Sequence, residues 1–192
     1  LIREDHNAPV VSAQLWVRAG SITEGPWMGA GLSHFLEHML FKGTRKVGPE
    51  QFARIIQEHG GNNNAFTSAD FTAYFENMAA PEIDIALELE ADRMANLQLR
   101  QADFETERNV VVEERRLRTE DNPQARLIEE LDAAAFMAHP YGWPVIGWLN
   151  DILKLTIDDV RAYHATYYGP NNAFIVCVGD FEPDPMFAKI ER

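Results

Sequence analysis

The stretch that most constrains this chain is His34-Phe35-Leu36-Glu37-His38. On a helix, residues four apart lie one turn apart on one face, so both imidazoles can reach a single ion. Neutral imidazole is a good zinc ligand. Glu37 falls three residues after one histidine and one before the other, so it projects near the same point and can act on a water there. Gly31 and Ser33 precede the motif, and Leu32, Leu36, Met39 and Leu40 give the helix apolar faces. Gly43 stands where such a helix would end.

Zinc at a catalytic site usually takes three protein ligands and keeps a fourth position open. The two histidines therefore call for one more. There is a single cysteine, Cys177, so neither a thiolate site nor an internal disulfide is available. A long helix expected over about 101–119 carries Glu105, Glu107, Glu113, Glu114 and Glu120. Glu107 and Glu114 are seven apart and share a face to within roughly 20°. One could bind metal and the other support the site. The same acids could instead all pair with Arg108, Arg115, Arg116 and Arg118 on a solvated helix. Spacing alone does not separate Glu113 from Glu114.

The remaining elements follow from periodicity. Residues 10–19 alternate, with Val11, Ala13, Leu15 and Val17 on one face, and predict a strand with one buried side. A helix is expected from Pro49 to Gly60-Gly61. Residues 64–78, rich in Phe, Tyr and Thr, predict two antiparallel strands around Ser68-Ala69-Asp70. Helices are expected from Pro81, over 101–119 and from Pro123. Residues 139–150 read as an irregular loop. Thr156 with Asp159 resembles a capping box and starts a helix to about Tyr167. Ala173–Val178 reads as a fully buried strand, and 185–192 as the start of another helix. The order predicts an α+β fold, with helices packed on a mostly antiparallel sheet.

The bulk composition narrows the function classes. A chain of 192 residues with 46% apolar content can build one good-sized core. The net charge of −13 argues against a nucleic-acid surface or an anionic membrane as partner. No apolar run approaches the ~18 residues of a membrane span. The opening from Leu1 shows no signal-like segment.

Several motifs together carry a resemblance. His34-Phe35-Leu36-Glu37-His38 with Phe41-Lys42-Gly43-Thr44, then Gly60-Gly61 with Asn64-Ala65-Phe66-Thr67 and Tyr74, then Glu107-Arg108-Asn109-Val110-Val111-Val112-Glu113-Glu114, and finally Val178-Gly179-Asp180-Phe181 resemble the pitrilysin, insulin-degrading enzyme and mitochondrial processing peptidase family. These are the inverzincins, zinc peptidases with the reversed H-x-x-E-H order. The resemblance runs from about residue 9 to the end. It implies the metallohydrolase fold of that family, with 1–192 as a single N-terminal peptidase domain forming one half of a two-domain clamshell. It implies Zn²⁺ held by His34, His38 and Glu114, with Glu107 as the supporting carboxylate and Glu37 as general base. It implies that Asn64, Ala65 and Phe66 belong to an edge strand that binds an extended peptide or unfolded polypeptide.

The resemblance also implies a homologous second half or partner subunit, without which the chain alone is a poor peptidase. The same edge and apolar surface could instead meet a second copy in a homodimer. The alternative is a non-catalytic family member serving as a structural or peptide-binding subunit. Relatives with an FKGT-type motif are often bacterial, and some carry secretory leaders, so periplasm and cytoplasm both remain open. His6, His59, His139 and His164 have no partner at metal spacing. Cys177, Trp143 and Trp148 are expected to pack, and Arg115-Arg116-Arg118 to form a solvated face.

Overall fold

A computed structural model describes residues 1–191. Among these residues, five strands make one sheet in the order β1-β5-β2-β4-β3. They are β1 (Ile2–Glu4), β2 (Val10–Val17), β3 (Asn62–Thr67), β4 (Thr72–Ala79) and β5 (Ala173–Gly179). Only β1 runs parallel to its neighbour, β5; the other pairings are antiparallel. The sheet is therefore mostly antiparallel, as expected. The short β1 had no signal in the sequence reading.

The alternation in β2 holds. Val11, Ala13, Leu15 and Val17 are all buried, and the residues between them are half-buried. Helices cover the buried face in two groups. The first contains α1 (Leu32–Met39), α4 (Gln101–Arg115) and α7 (Ile157–Tyr167). Leu32, Phe35, Leu36 and Met39 interlock there with Phe104, Val111, Val160 and Tyr163. The second contains α2 (Gln51–Glu58), α3 (Ile83–Asn96) and α8 (Pro183–Ile190). Here Phe52, Ile56, Ile83, Ala86 and Met186 pack on Val11, Ala13 and Cys177. Two further helices, α5 (Pro123–Ala135) and the short α6 (Leu149–Ile152), flank the first group.

Several boundaries depart from expectation for local reasons. β3 starts at Asn62, because Asn62 and Asn63 pair with Asn77 and Glu76 of β4. β5 is only partly buried. Cys177 and Gly179 are inside, while Phe174, Val176 and Val178 face the sheet side that no helix covers. The long helix is α-helical to Arg115 and then widens into a π-type turn over Arg116–Glu120. α8 begins at Pro183, two residues early, and Arg192 lies outside the described residues. The loop after His139 holds a single turn at Pro140–Gly142 and enters α6 at Leu149. The Thr156–Asp159 capping box forms at the start of α7. Among the described residues no helix is long and apolar enough to cross a membrane.

Two glycines fix the entry to α1. Gly31 has φ +68, and a Cβ there would lie 2.1 Å from the Ile146 carbonyl oxygen. Gly147 has φ +89, and its Cβ would lie 2.5 Å from the Ala30 carbonyl. The backbones cross where neither residue can carry a side chain.

Candidate metal centre

α1 and α4 pack side by side and bring together side chains that the sequence keeps some seventy residues apart. His34 Nε2 lies 3.6 Å from Glu114 Oε2, and His38 Nε2 lies 3.2 Å from the same oxygen. The three donor atoms fall within 4.8 Å of one another, and this is the one group of metal-ligating side chains found among the described residues. Tetrahedral zinc with bonds of about 2.0–2.1 Å sets its ligand atoms about 3.3 Å apart. The two measured separations bracket that value. Glu114 Oε2 is buried and has no well-directed hydrogen bond. A buried carboxylate oxygen facing two imidazole nitrogens calls for positive charge among them, either a metal ion or a proton on His38. The residues present therefore fit a zinc ion.

A further layer of contacts holds these groups. Glu107 is 5% exposed, and its Oε1 lies 2.8 Å from His38 Nδ1. Its other oxygen pairs with Lys42, just past the end of α1. A carboxylate on Nδ1 fixes the ring so that Nε2 faces inward. Arg118, from the π-type turn, reaches back to Glu114 Oε1 at 2.7 Å. Glu113 points away, is largely exposed and pairs with Arg116.

The electrostatics set the two rings apart, and His38 must give up a proton before it can bind a metal. Burial and then the charge of neighbouring His38 push His34 down to about 4, which keeps it neutral. Burial also pulls on His38, but its hydrogen bond to Glu107 and the nearby Glu114 carboxylate outweigh it and raise the ring to about 9. For Glu107, burial works against ionisation. Hydrogen bonds from His38 and Lys42 nevertheless hold its carboxyl below the usual range.

Glu37 is 9% exposed, and burial pushes its carboxyl up. Its Oε2 accepts a hydrogen bond from Thr67 Oγ1 at 2.5 Å. Beside it runs β3, the last strand of the sheet, with one edge unpaired. The Ala65 N–H bonds to the Asn64 side-chain oxygen at 2.9 Å and not to β4, so it belongs to the free edge. Asn64, Ala65 and Phe66 line a cleft of about 1260 Å³ together with Glu37, His38 and Glu114. Phe66 is 42% exposed and lies edge-on to Trp16.

Sequence reasoning missed Glu24. It is fully buried and accepts the backbone N–H groups of Gly31 and Ser33, so it caps α1 from outside. It also misjudged Arg115. Expected on a solvated face, Arg115 is 5% exposed, binds Glu129 through two nitrogens and donates to the Gly147 carbonyl at 2.8 Å. Its guanidinium lies over the Trp148 ring. Trp148 thus packs as expected, whereas Trp143 is substantially exposed.

An α+β fold with the inverted two-histidine helix, a facing carboxylate and a free strand edge along one cleft defines the metallopeptidase class. Comparison with known proteins agrees. The family model for insulinase (peptidase family M16) matches residues 1–147, and one for the M16 inactive domain matches residues 154–192. The chain belongs to peptidase family M16. It is 37% identical over 184 residues to the zinc protease PqqE of Helicobacter pylori, covering 95% of this chain and 41% of that protein. A crystal structure of a protease from Helicobacter pylori superposes with a TM-score of 0.93 at 34% identity, covering 99% of this chain and 46% of that one. The periplasmic protease PqqL of Escherichia coli shares the fold, with a TM-score of 0.87 at 21% identity over 99% of this chain and 22% of its own. The chain thus spans about two fifths of the length of PqqE.

Proposed function

We propose that this chain is the zinc-binding half of an endopeptidase that hydrolyses peptides held in extended form. The observation that carries this reading is the convergence of His34, His38 and Glu114 at zinc-ligand spacing. A zinc ion held there by His34, His38 and Glu114 would supply the Lewis acid that activates a water and polarises the scissile carbonyl. Glu37 takes a proton from that water as its oxygen bonds to the carbonyl carbon. It returns the proton to the amine nitrogen as the C–N bond breaks. Glu107 keeps His38 turned toward the site. The substrate adds as a further strand along β3 by main-chain hydrogen bonds. An incoming carbonyl takes the Ala65 N–H from the Asn64 side chain. Phe66 offers apolar surface beside it.

The remaining length of the protein, on this reading, is a homologous half that closes over the cleft. The open half leaves the site wet, which weakens each electrostatic contribution to the transition state. Residues 1–192 alone are therefore a poor peptidase even with zinc.

The second reading is a non-catalytic structural or peptide-binding subunit. The inactive-domain model matches residues 154–192. None of His34, Glu37, His38 or Glu114 lies in that stretch. Zinc analysis with a quenched-peptide assay on the full-length protein separates the two. Stoichiometric zinc with chelator-sensitive hydrolysis supports the endopeptidase. Zinc without hydrolysis supports a binding module, and neither supports a structural subunit.

A further inference from the structure

The residue that holds Glu37 comes from the strand that reads the substrate. In β3 the odd-numbered residues Asn63, Ala65 and Thr67 are the half-buried ones, so their side chains share the face turned toward α1. Thr67, the last of them, meets Glu37 there. The hydrogens around this contact can be counted. A threonine hydroxyl has one proton to donate. That of Thr72, 3.3 Å from Thr67 Oγ1, goes to the Ala19 carbonyl at 2.9 Å. Thr72 therefore has no proton left for Thr67. The Thr67 proton goes to the nearer acceptor, Glu37 Oε2, at 2.5 Å. The other carboxylate oxygen, Oε1, has no hydrogen-bond partner among the described residues, and Glu37 lines the cleft beside His38 and Glu114.

From this geometry we infer that Thr67 is a positioning residue: its hydroxyl ties Oε2 of Glu37 to the edge strand, leaving Oε1 as the one oxygen that exchanges protons in the cleft. The inference rests on the reading of Glu37 as general base. One proton passes from water to Oε1 and from Oε1 to the departing amine, while Oε2 accepts from Thr67 throughout. The arrangement also links two events. Thr67 follows Phe66 directly and lies three residues after Asn64, so a peptide seated along Asn64–Phe66 orders the same strand that aims the base. A carboxylate free to rotate about its last side-chain bond would lose that aim, and a misplacement of about 1 Å costs on the order of 10²-fold in rate.

The test uses the full-length protein with zinc content measured in every variant. Thr67→Val keeps the shape and removes the donor. Thr67→Ser keeps the donor, and Thr67→Ala serves if the valine variant folds poorly. With zinc unchanged and KM within about 2-fold, kcat is expected to fall by roughly 10- to 100-fold in Thr67→Val. It is expected to return to within about 3-fold of wild type in Thr67→Ser. Equal losses in the valine and serine variants, or a kcat unchanged in both, overturn the inference.

A second readout needs no activity. In zinc-free protein, Thr67→Val should lower Tm, and this loss should shrink once Glu37 is already replaced in Glu37→Leu. Equal shifts in both backgrounds also overturn it. Failure of the base reading looks different. There Glu37→Gln itself would stay active, whatever Thr67 does to Tm.

Discussion

Glu24 Oε1 accepts the backbone N–H of Ser33 at 2.9 Å, from nine residues earlier in the chain. Its second oxygen accepts the Gly31 N–H at 3.1 Å. These are donors that the first turn of α1 cannot satisfy internally. A glycine at the cap position offers no side chain to do it. When Glu24 is ionised, its charge also faces the positive end of the helix. The two histidines thus stand on a helix whose start is held by a buried carboxylate.

Burial pushes Glu24 up to about 7, although the amide bonds from Ser33 and Gly31 pull the other way. An acid whose native pKa exceeds its unfolded value keeps a proton in the folded state that the unfolded chain has lost. Its contribution to stability therefore declines as pH rises from about 4.5 to about 7. A shift of that size corresponds to about 3 kcal/mol. Measured as the Tm difference between zinc-free wild type and Glu24→Gln, the wild type's relative advantage is expected to be larger at pH 5 than at pH 8. A difference that stays flat across this range would show that Glu24 is not shifted.

Zinc binding should follow the register of α4. Glu114→Gln is expected to weaken zinc more than Glu113→Gln, because Glu114 faces both histidines while Glu113 pairs with Arg116 in solvent. His38→Ala should abolish stoichiometric zinc. Metal analysis and competition with a chelator read both. Loss of affinity only in the Glu113 variant would place the ligand one residue earlier.

Glu37→Gln in the full-length protein should retain zinc and lose peptide hydrolysis by roughly 10²-fold or more, as for a lost general base. Near-normal turnover in the zinc-loaded variant would remove Glu37 from that role.

Arg115→Met should destabilise the chain by about 3 kcal/mol, since it leaves the mostly buried Glu129 carboxylate and the Gly147 carbonyl without their donor. Urea denaturation of the zinc-free protein reads this. A change below about 0.5 kcal/mol would mean that water reaches Glu129 and replaces the guanidinium.

What could be read from sequence was local. The capping box at Thr156 and the alternation in β2 each depend on residues a few positions apart, and both appear as expected. The seven-residue spacing of Glu107 and Glu114 narrowed the acids to a face but not to a role. Contacts made across the fold left no such trace. Glu24 bonds to backbone amides, which no side-chain pattern encodes. Arg115 reads as one more cation in a charged run, and only the loop folding back to Trp148 and Gly147 buries it. The apolar run of β5 suggested burial on both faces, yet helices cover only one side of the sheet.

The crossing of Gly31 and Gly147 bears on how this chain can diverge. Any residue with a β-carbon at either position would strike the opposite backbone. Helix α1 and the loop before α6 therefore cannot drift apart by ordinary point substitution, and a change in one demands a matched change in the other. Insertions are closed to this junction but open nearby, around Met137, which is 88% exposed. Length variation among descendants of this chain should collect there, in an exposed turn away from the junction, while the two histidines stay where they are.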